Sequence, residues 1–491
     1  MMDRQEFDLA TDRLVSRKIV RIVKPTHVTA GVQVPSLSKE DVQSFKKLED
    51  YEWVCSQPFM NFMTNGINKE HIPCCVLKGW SSIVSKNNFQ SYLKDSPNSK
   101  LMEFRQEFLR GGGPLSKKAC AVCIEQEKHG EESHRRVYND KFINESGEYH
   151  AHKKTLEEYL ETDFSVPYYL TMEYNAPSNF CNLRCHMCGP WNSSSIAKEN
   201  LDIGHELRNE PERQKQFKIA NADSATFPKG LGGHKPLGYK NEYHIELEDD
   251  FKRFDPILKN LVELKLCGGE TLAIKHNYDL LEHIINLRDT SDCSLRITTN
   301  GTVVPKFNGK DIFHYIPYFK DCQINVSIEG WGEKNNYFRY PSKWEVIMKN
   351  TLKFTEMPRT RIAFASTINA INTGHLIDIA KEAVKLNKKY PEIFITPFLT
   401  GSLVWGSGEI YTLEAVPLDV REIWLDNIMT DSELPEEYYN EFMKIISLLE
   451  NSKFDEKLLK KMLTDVKERD KHRGTCLLDL FPEWKPYYEK V

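Results

Sequence analysis

The chain is expected to fold as an α/β protein: a partial (β/α)6 TIM-type barrel, with a small α+β N-terminal cluster-binding domain and a helical C-terminal region. Three observations lead there. After about residue 165, short apolar stretches alternate with longer amphipathic ones, the texture of βα units feeding a parallel sheet. Six such stretches can be read as strands. The cysteines fall into two spaced groups, one ahead of these units and one just behind the first.

Residues 1–50 carry little periodic signal and read as a polar lead-in. From Glu52 to Leu77 the pattern is that of a hairpin. Phe59, Phe62 and Met63 precede Gly66, and Ile72-Pro73 follows it. Residues 92–110 then look helical, and Gly111-Gly112-Gly113-Pro114 stops them. Lys117 to Asn139 reads as a knuckle around Cys120-Ala-Val-Cys123. Residues 51–140 would form the first domain.

The barrel is assigned to residues 165–400. Strands are expected at Tyr168–Tyr174, Leu261–Cys267, Leu295–Asn300, Gln323–Glu329, Arg361–Asn369 and Glu392–Phe398. Helices between them include Tyr278–Leu287, Trp344–Phe354 and His375–Leu386. Residues 191–256 form a long polar insertion, expected to be a lid, a binding element or a solvated decoration. Residues 401–491 read as charged helices. In such barrels function gathers where strands end.

The alternation within the strands is informative. Arg296, Thr298 and Asn300 share one face, as do Asn325, Ser327 and Glu329, opposite Ile324, Val326 and Ile328. A structural barrel would fill its interior with branched apolar layers. Polar faces on two adjacent strands point instead to a cavity lined for a polar ligand.

Composition bounds the rest. The chain has 491 residues, about three domains at ~150 residues each. Lys plus Arg is 66 against 71 for Asp plus Glu, a net charge of -5. That balance argues against a nucleic-acid binder, which usually carries a basic surplus. Mean hydropathy is -0.53, and no stretch approaches the ~20 apolar residues of a membrane span. The opening Met1-Met2-Asp3-Arg4-Gln5-Glu6 lacks the apolar run of a secretory signal. A cytoplasmic protein with no membrane partner is expected. Its 12 cysteines would not be used as disulfides there.

Cys181-x-x-x-Cys185-x-x-Cys188 follows the first barrel strand in a compact loop. Three thiolates can hold a [4Fe–4S] cluster and leave its fourth iron without a protein ligand. An open position is where a metal does chemistry. The alternative is a structural zinc site, for which His186 is the nearby candidate for a fourth ligand.

The run resembles the signature of the radical S-adenosylmethionine (radical SAM) superfamily. Gly268-Gly269-Glu270, at the end of the second strand, is similar to that family's motif for the SAM amino group. Two glycines permit close backbone approach, and a carboxylate suits an ammonium. This copy departs from the common form in Cys267 before it and Thr271 after it, and Cys267 is read as a core residue. Thr299-Asn300-Gly301 resembles a further family strand end. The resemblance implies that Asn300, Ser327 and Glu329 meet the ribose or carboxylate of SAM. It also brings Thr367 and Asn369 toward adenine. Arg339 is similar to a basic residue that meets the carboxylate, or else is an ordinary solvated arginine.

Cys55, Pro58, Gly66 and Pro73-Cys74-Cys75 resemble the hairpin that opens SPASM and twitch domains, which hold auxiliary iron–sulfur clusters. Cys120-x-x-Cys123, with Glu127, Gly130, Ser133 and Arg135 after it, is similar to the closing knuckle of the twitch form. The implied ligands are Cys55, Cys74, Cys120 and Cys123, with Cys75 as the alternative to Cys74. Such domains usually follow the barrel, whereas here the elements precede it. A four-cysteine zinc knuckle is the other reading.

The resemblance implies an enzyme that uses a [4Fe–4S] cluster and SAM to make a 5′-deoxyadenosyl radical, which takes hydrogen from a substrate. Its electron donor would be flavodoxin or ferredoxin. The second, auxiliary iron–sulfur cluster favours oxidation or cross-linking of a peptide or protein. A small carbohydrate-like alcohol is the alternative substrate, and a zinc-stapled non-enzymatic binding protein the alternative class.

Overall fold

The computed structural model describes residues 55–65, 70–72, 100–109, 112–128, 133–144, 147, 149–160, 169–176, 178–190, 192–221, 251–395, 402–403 and 410–490. The polar lead-in, Gly66, Gly130, Pro73-Cys74-Cys75 and residues 222–250 of the insertion lie outside them.

A seven-stranded sheet organises the chain: β1 (Asn61–Asn65), β2 (Glu70–Ile72), β3 (Thr171–Asn175), β4 (Glu263–Cys267), β5 (Ser294–Thr299), β6 (Asp321–Ser327) and β7 (Thr360–Ala365). Its order is β2-β1-β3-β4-β5-β6-β7. Six strands run parallel, and β2 closes the edge as the antiparallel arm of a hairpin. This is a mixed α/β fold. Five of the expected strands are present, each within a few residues of its expected bounds.

Of the sixth, expected at Glu392–Phe398, only residues 392–395 are described, and there an isolated parallel bridge joins Phe394 to Ile362 of β7. A further parallel strand, β1, extends the sheet at the other end, between β3 and the edge strand β2. Phe62 sits opposite Met172 in register. The Thr64 hydroxyl donates to the Asn175 carbonyl at 2.9 Å and accepts from its N–H at 2.8 Å. Thr171 donates to the Asn61 side chain at 2.9 Å. The N-terminal hairpin therefore continues the same sheet.

The two faces of this sheet differ as the alternation predicts. Phe62, Met172, Leu264, Leu295, Ile297, Ile324, Val326 and Ile362 are buried against helices. Among these helices are α7 (Lys275–Leu287), α8 (Trp344–Lys353) and α9 (Leu376–Lys389). Burial of such side chains contributes about 1.5–3 kcal/mol each. On the other face Glu173, Asn175, Lys265, Cys267, Thr298, Gln323, Asn325 and Ser327 are half-buried. Cys267 is thus not a core residue. Its thiol lies 3.4 Å from a Glu173 carboxylate oxygen on the polar face, because it stands one pleat out of step with Leu264 and Leu266.

Upstream, α1 (Lys100–Leu109), α2 (Pro114–Ala119), α3 (Ala121–Lys128) and α4 (His134–Ile143) precede β3. The expected knuckle is therefore helical: Cys120 caps α2, and Cys123 lies in the first turn of α3. Between β3 and β4 come α5 (Ser194–Glu206) and α6 (Pro211–Ala220). These belong to the polar insertion and are packed structure. Arg213 of α6 pairs with Glu468 at 2.7 Å, and Asn221 donates to Asp465 at 2.8 Å.

The end of the chain is helical, as expected: α10 (Leu418–Thr430), α11 (Tyr439–Asn451) and α12 (Glu456–Arg473). The Asp455 side chain caps α12, and Gly474 ends it in the left-handed region at φ 68°. Among the described residues no helix is long and apolar enough to cross a membrane.

Candidate metal centre

Residues 178–190 have no regular structure of their own, so their neighbours hold them. The Ser193 side chain caps α5 and also donates to the Leu183 carbonyl at 2.7 Å. Ser195 donates to the Cys181 carbonyl at 2.6 Å. From the other side, Arg184 N–H donates to Tyr340 O at 2.6 Å, and His186 N–H to Phe338 O at 3.0 Å. The loop backbone thus runs beside residues 338–340, and Arg339 faces Cys185.

Cys181 and Cys185 are buried, Cys188 is half-buried, and the three pack in one cluster around Leu183. The Cys185 and Cys188 thiols share a hydrogen bond. It holds Cys185 below the ordinary thiol range, with the nearby Arg339 cation acting the same way against the cost of burial. Cys188 is raised well above that range by the same contact and by burial. Burial first, then the Cys185 and Glu270 charges, push Cys181 up to about 12.

Arg339 is not solvated. Its side chain is 12% exposed and forms a forked pair with the fully buried Glu329, and its Nη1 lies 3.8 Å from Cys185 Sγ. Sequence reasoning missed this pairing, since each residue was assigned separately to SAM.

The β4 end closes over the loop. Gly268 and Gly269 take φ 95° and 41°, which glycine adopts without steric cost. A Cβ on Gly269 would stand 2.2 Å from the Phe180 carbonyl oxygen. The buried Glu270 carboxylate accepts from Leu272 N–H at 3.1 Å, from Asn300 N–H at 2.7 Å and from the Thr299 hydroxyl. Burial raises its pKa despite these donors. A carboxylate has about four acceptor sites, so three donors leave it one to offer. Asn300 reaches from the β5 end, its amide 3.9 Å from Cys181 Sγ and 3.0 Å from Asn182 Oδ1.

The remaining expected contacts lie further along the same strand-end rim. Ser327 is the half-buried last residue of β6. Thr367 opens a short strand, β8 (Thr367–Ile368), paired in parallel with β9 (Ser402–Leu403). The Asn369 side chain is occupied by a turn, accepting from Ile371 and Asn372 N–H and donating to Thr367 O.

A second thiol group stands near the β1 edge. Cys55, Cys120 and Cys123 are close enough to act on one another's ionisation. Burial pushes Cys55 up to about 12 and raises Cys120 as well. The Ser56 N–H donates to Asn139 Oδ1 at 2.9 Å, fastening Cys55 to α4. Glu127 takes a forked pair from Arg135 at 2.9 and 2.7 Å, plus a hydrogen bond from Ser133. These donors outweigh burial and lower its pKa. The Glu127, Ser133 and Arg135 positions singled out in the sequence thus form one clamp. Each thiol group is backed by an arginine held on a glutamate, fully buried at Glu329 and half-buried at Glu127.

Among the described residues no three His, Cys, Asp or Glu side chains close tightly enough to hold a single metal ion. A cubane binds each thiolate through a different iron, which spreads its ligands further apart than one ion's. The zinc alternative needs His186, yet both of its ring nitrogens are engaged. Arg473 Nη1 donates to Nε2 at 2.9 Å, and Nδ1 lies 3.2 Å from the Tyr411 hydroxyl. Without His186, the donor set at the loop is three thiols. Of the other cysteines, Cys293 and Cys322 are wholly buried, and Cys476 is half-buried. No family model matches the chain, and no curated protein matches it either.

Proposed function

We propose that the protein is a radical SAM enzyme built on a partial (β/α)6 barrel, with Cys181, Cys185 and Cys188 holding a [4Fe–4S] cluster. The observation that carries the reading is the occupied His186. With that imidazole engaged on both nitrogens, the loop offers three thiols and no histidine ligand, as an open catalytic cluster needs and a closed zinc site does not. When bound, the cluster and SAM would supply a 5′-deoxyadenosyl radical that takes a hydrogen atom from the substrate.

The chain's own residues would do the rest. Gly268 and Gly269 let the β4 end close on Asn175 and Phe180, and the last acceptor site of Glu270 would receive the SAM ammonium. Asn300 and Ser327 line the rim for ribose or carboxylate. Arg339 offsets the negative charge of three thiolates in a buried site, where charge–charge terms are large. The half-buried polar face, from Glu173 across to Ser327, would hold the substrate and limit water around it.

Cys55, Cys120 and Cys123, with Cys74 outside the described residues, would hold a second iron–sulfur cluster. A second cluster favours net oxidation or cross-linking of a peptide or protein, with flavodoxin or ferredoxin as electron donor in the cytoplasm. Anaerobic reconstitution tests the reading. About eight irons per chain and 5′-deoxyadenosine after dithionite and SAM are expected. Zinc without SAM cleavage would overturn it.

A further inference from the structure

Six buried side chains close into one hydrogen-bonded ring beneath the cysteine loop. Arg473, the last residue of α12, lies 287 positions from His186 and donates to its Nε2 at 2.9 Å. The same guanidinium forks onto Glu199 of α5 at 2.9 and 2.7 Å. Glu199 also receives Arg469, which donates to Asp465 at 2.8 Å. Asp465 accepts from the Tyr411 hydroxyl at 2.6 Å, and Tyr411 returns to His186 Nδ1 at 3.2 Å. Because Arg473 can only donate, Nε2 accepts, so Nδ1 carries the proton and donates to Tyr411. Every link then has one donor and one acceptor.

The ring is charge-balanced, with two arginines against two carboxylates, and the side chains of Arg473 and Glu199 are 0% exposed. A buried ionic network is seldom a better stabiliser than apolar packing of the same volume. A fully satisfied one fixes geometry. This one touches the loop on both sides of Cys185. Arg473 Nη2 donates to the Arg184 carbonyl, and His186 stacks on Tyr337 with ring centroids 4.9 Å apart.

We propose that Arg473 and His186 are positioning residues that hold Cys185 and Cys188 in ligating geometry, making the C-terminal helix a structural part of the metal centre. The proposal takes from the functional reading only that these thiols are the working groups. It is tested on the full-length chain stripped of metal, where cluster loading plays no part. Each cysteine's alkylation by iodoacetamide is timed by mass spectrometry, with the core residues Cys293 and Cys322 as internal references. In Arg473→Gln, Cys185 and Cys188 should react about tenfold faster, equal to about 1.4 kcal/mol of lost local closure. Cys293 and Cys322 should keep their rates.

His186→Phe retains the ring stack on Tyr337 but breaks both hydrogen bonds, and it should give the same loop-confined rise. Unchanged rates at Cys185 and Cys188 in both variants would overturn the proposal. So would an equal rise at all four cysteines, which would assign Arg473 to the whole fold and not to the loop. A wild-type chain that binds zinc or takes up no iron would sink the enzyme reading while leaving this result intact.

Discussion

The Glu270 backbone N–H donates to the Phe180 carbonyl across 2.7 Å, fastening the end of β4 to the residue before Cys181. This contact makes the glycine pair and the cysteine loop one object. It needs the chain at Gly269 to pass where a Cβ would strike that same carbonyl.

Gly269→Ala should therefore fail at the loop. The residue would have to hold φ 41°, at a cost of about 1–3 kcal/mol, and the Cβ would displace Phe180. Denaturant unfolding should show the destabilisation. Iron uptake at the Cys181 site should fall with it.

The two thiol groups should load independently. Replacing Cys181, Cys185 and Cys188 together by Ala should halve the iron per reconstituted chain and abolish 5′-deoxyadenosine. Replacing Cys55, Cys120 and Cys123 should remove the other half, and the two losses should add. An unchanged iron count in the second variant would refute the N-terminal assignment.

Arg339 should set the proton affinity of Cys185. In the metal-free chain, the Cys188 hydrogen bond and then the Arg339 charge keep Cys185 below the ordinary thiol range. Arg339→Gln paired with Glu329→Gln removes both charges without stranding a buried carboxylate. Loss of the cation favours the neutral thiol. Because the opposing Glu329 charge goes with it, the pH midpoint for alkylation of Cys185 should rise by less than loss of the cation alone would give. No movement would show that the Arg339–Glu329 pair acts on Cys185 as a neutral unit.

Acid should act through Glu199. Burial alone would raise its pKa, but Arg473, Arg469 and Arg184 more than offset that and hold it below the ordinary carboxyl range. A depressed folded-state pKa gives stability that is present above the unfolded value, about 4.3. That stability is lost as pH falls further, through the folded one. The metal-free chain should lose stability as pH drops below about 4. Glu199→Gln should cost about 3–5 kcal/mol at pH 7, because Arg473, Arg469 and Arg184 lose a buried partner. The variant should also show a flatter acid limb in urea melts across pH 3–5, a range set by the ordinary carboxyl values.

Much of this was legible in the sequence, and for a local reason. Strand polarity has a period of two, so the apolar face from Leu264 to Ile362 and the polar face from Lys265 to Ser327 can be read without a structure. The spacing of Cys181, Cys185 and Cys188 and the glycine pair before Glu270 are likewise properties of short windows. The sequence determined the α/β class, five of the six parallel strands and the loop where the thiols gather.

Long-range pairing was decided elsewhere. That β1 extends the sheet beside β3 depends on which edge finds a partner strand. Arg339 becomes the neighbour of Cys185 because residues 184–186 lie along 338–340. Arg473 closes a ring through His186 because α12 returns beneath the loop. Such contacts join side chains far apart in the chain, and a buried charge keeps only the partner that folding brings within hydrogen-bond distance. No window of sequence contains both members of such a pair, so only the tertiary structure decided what holds Cys185 in place.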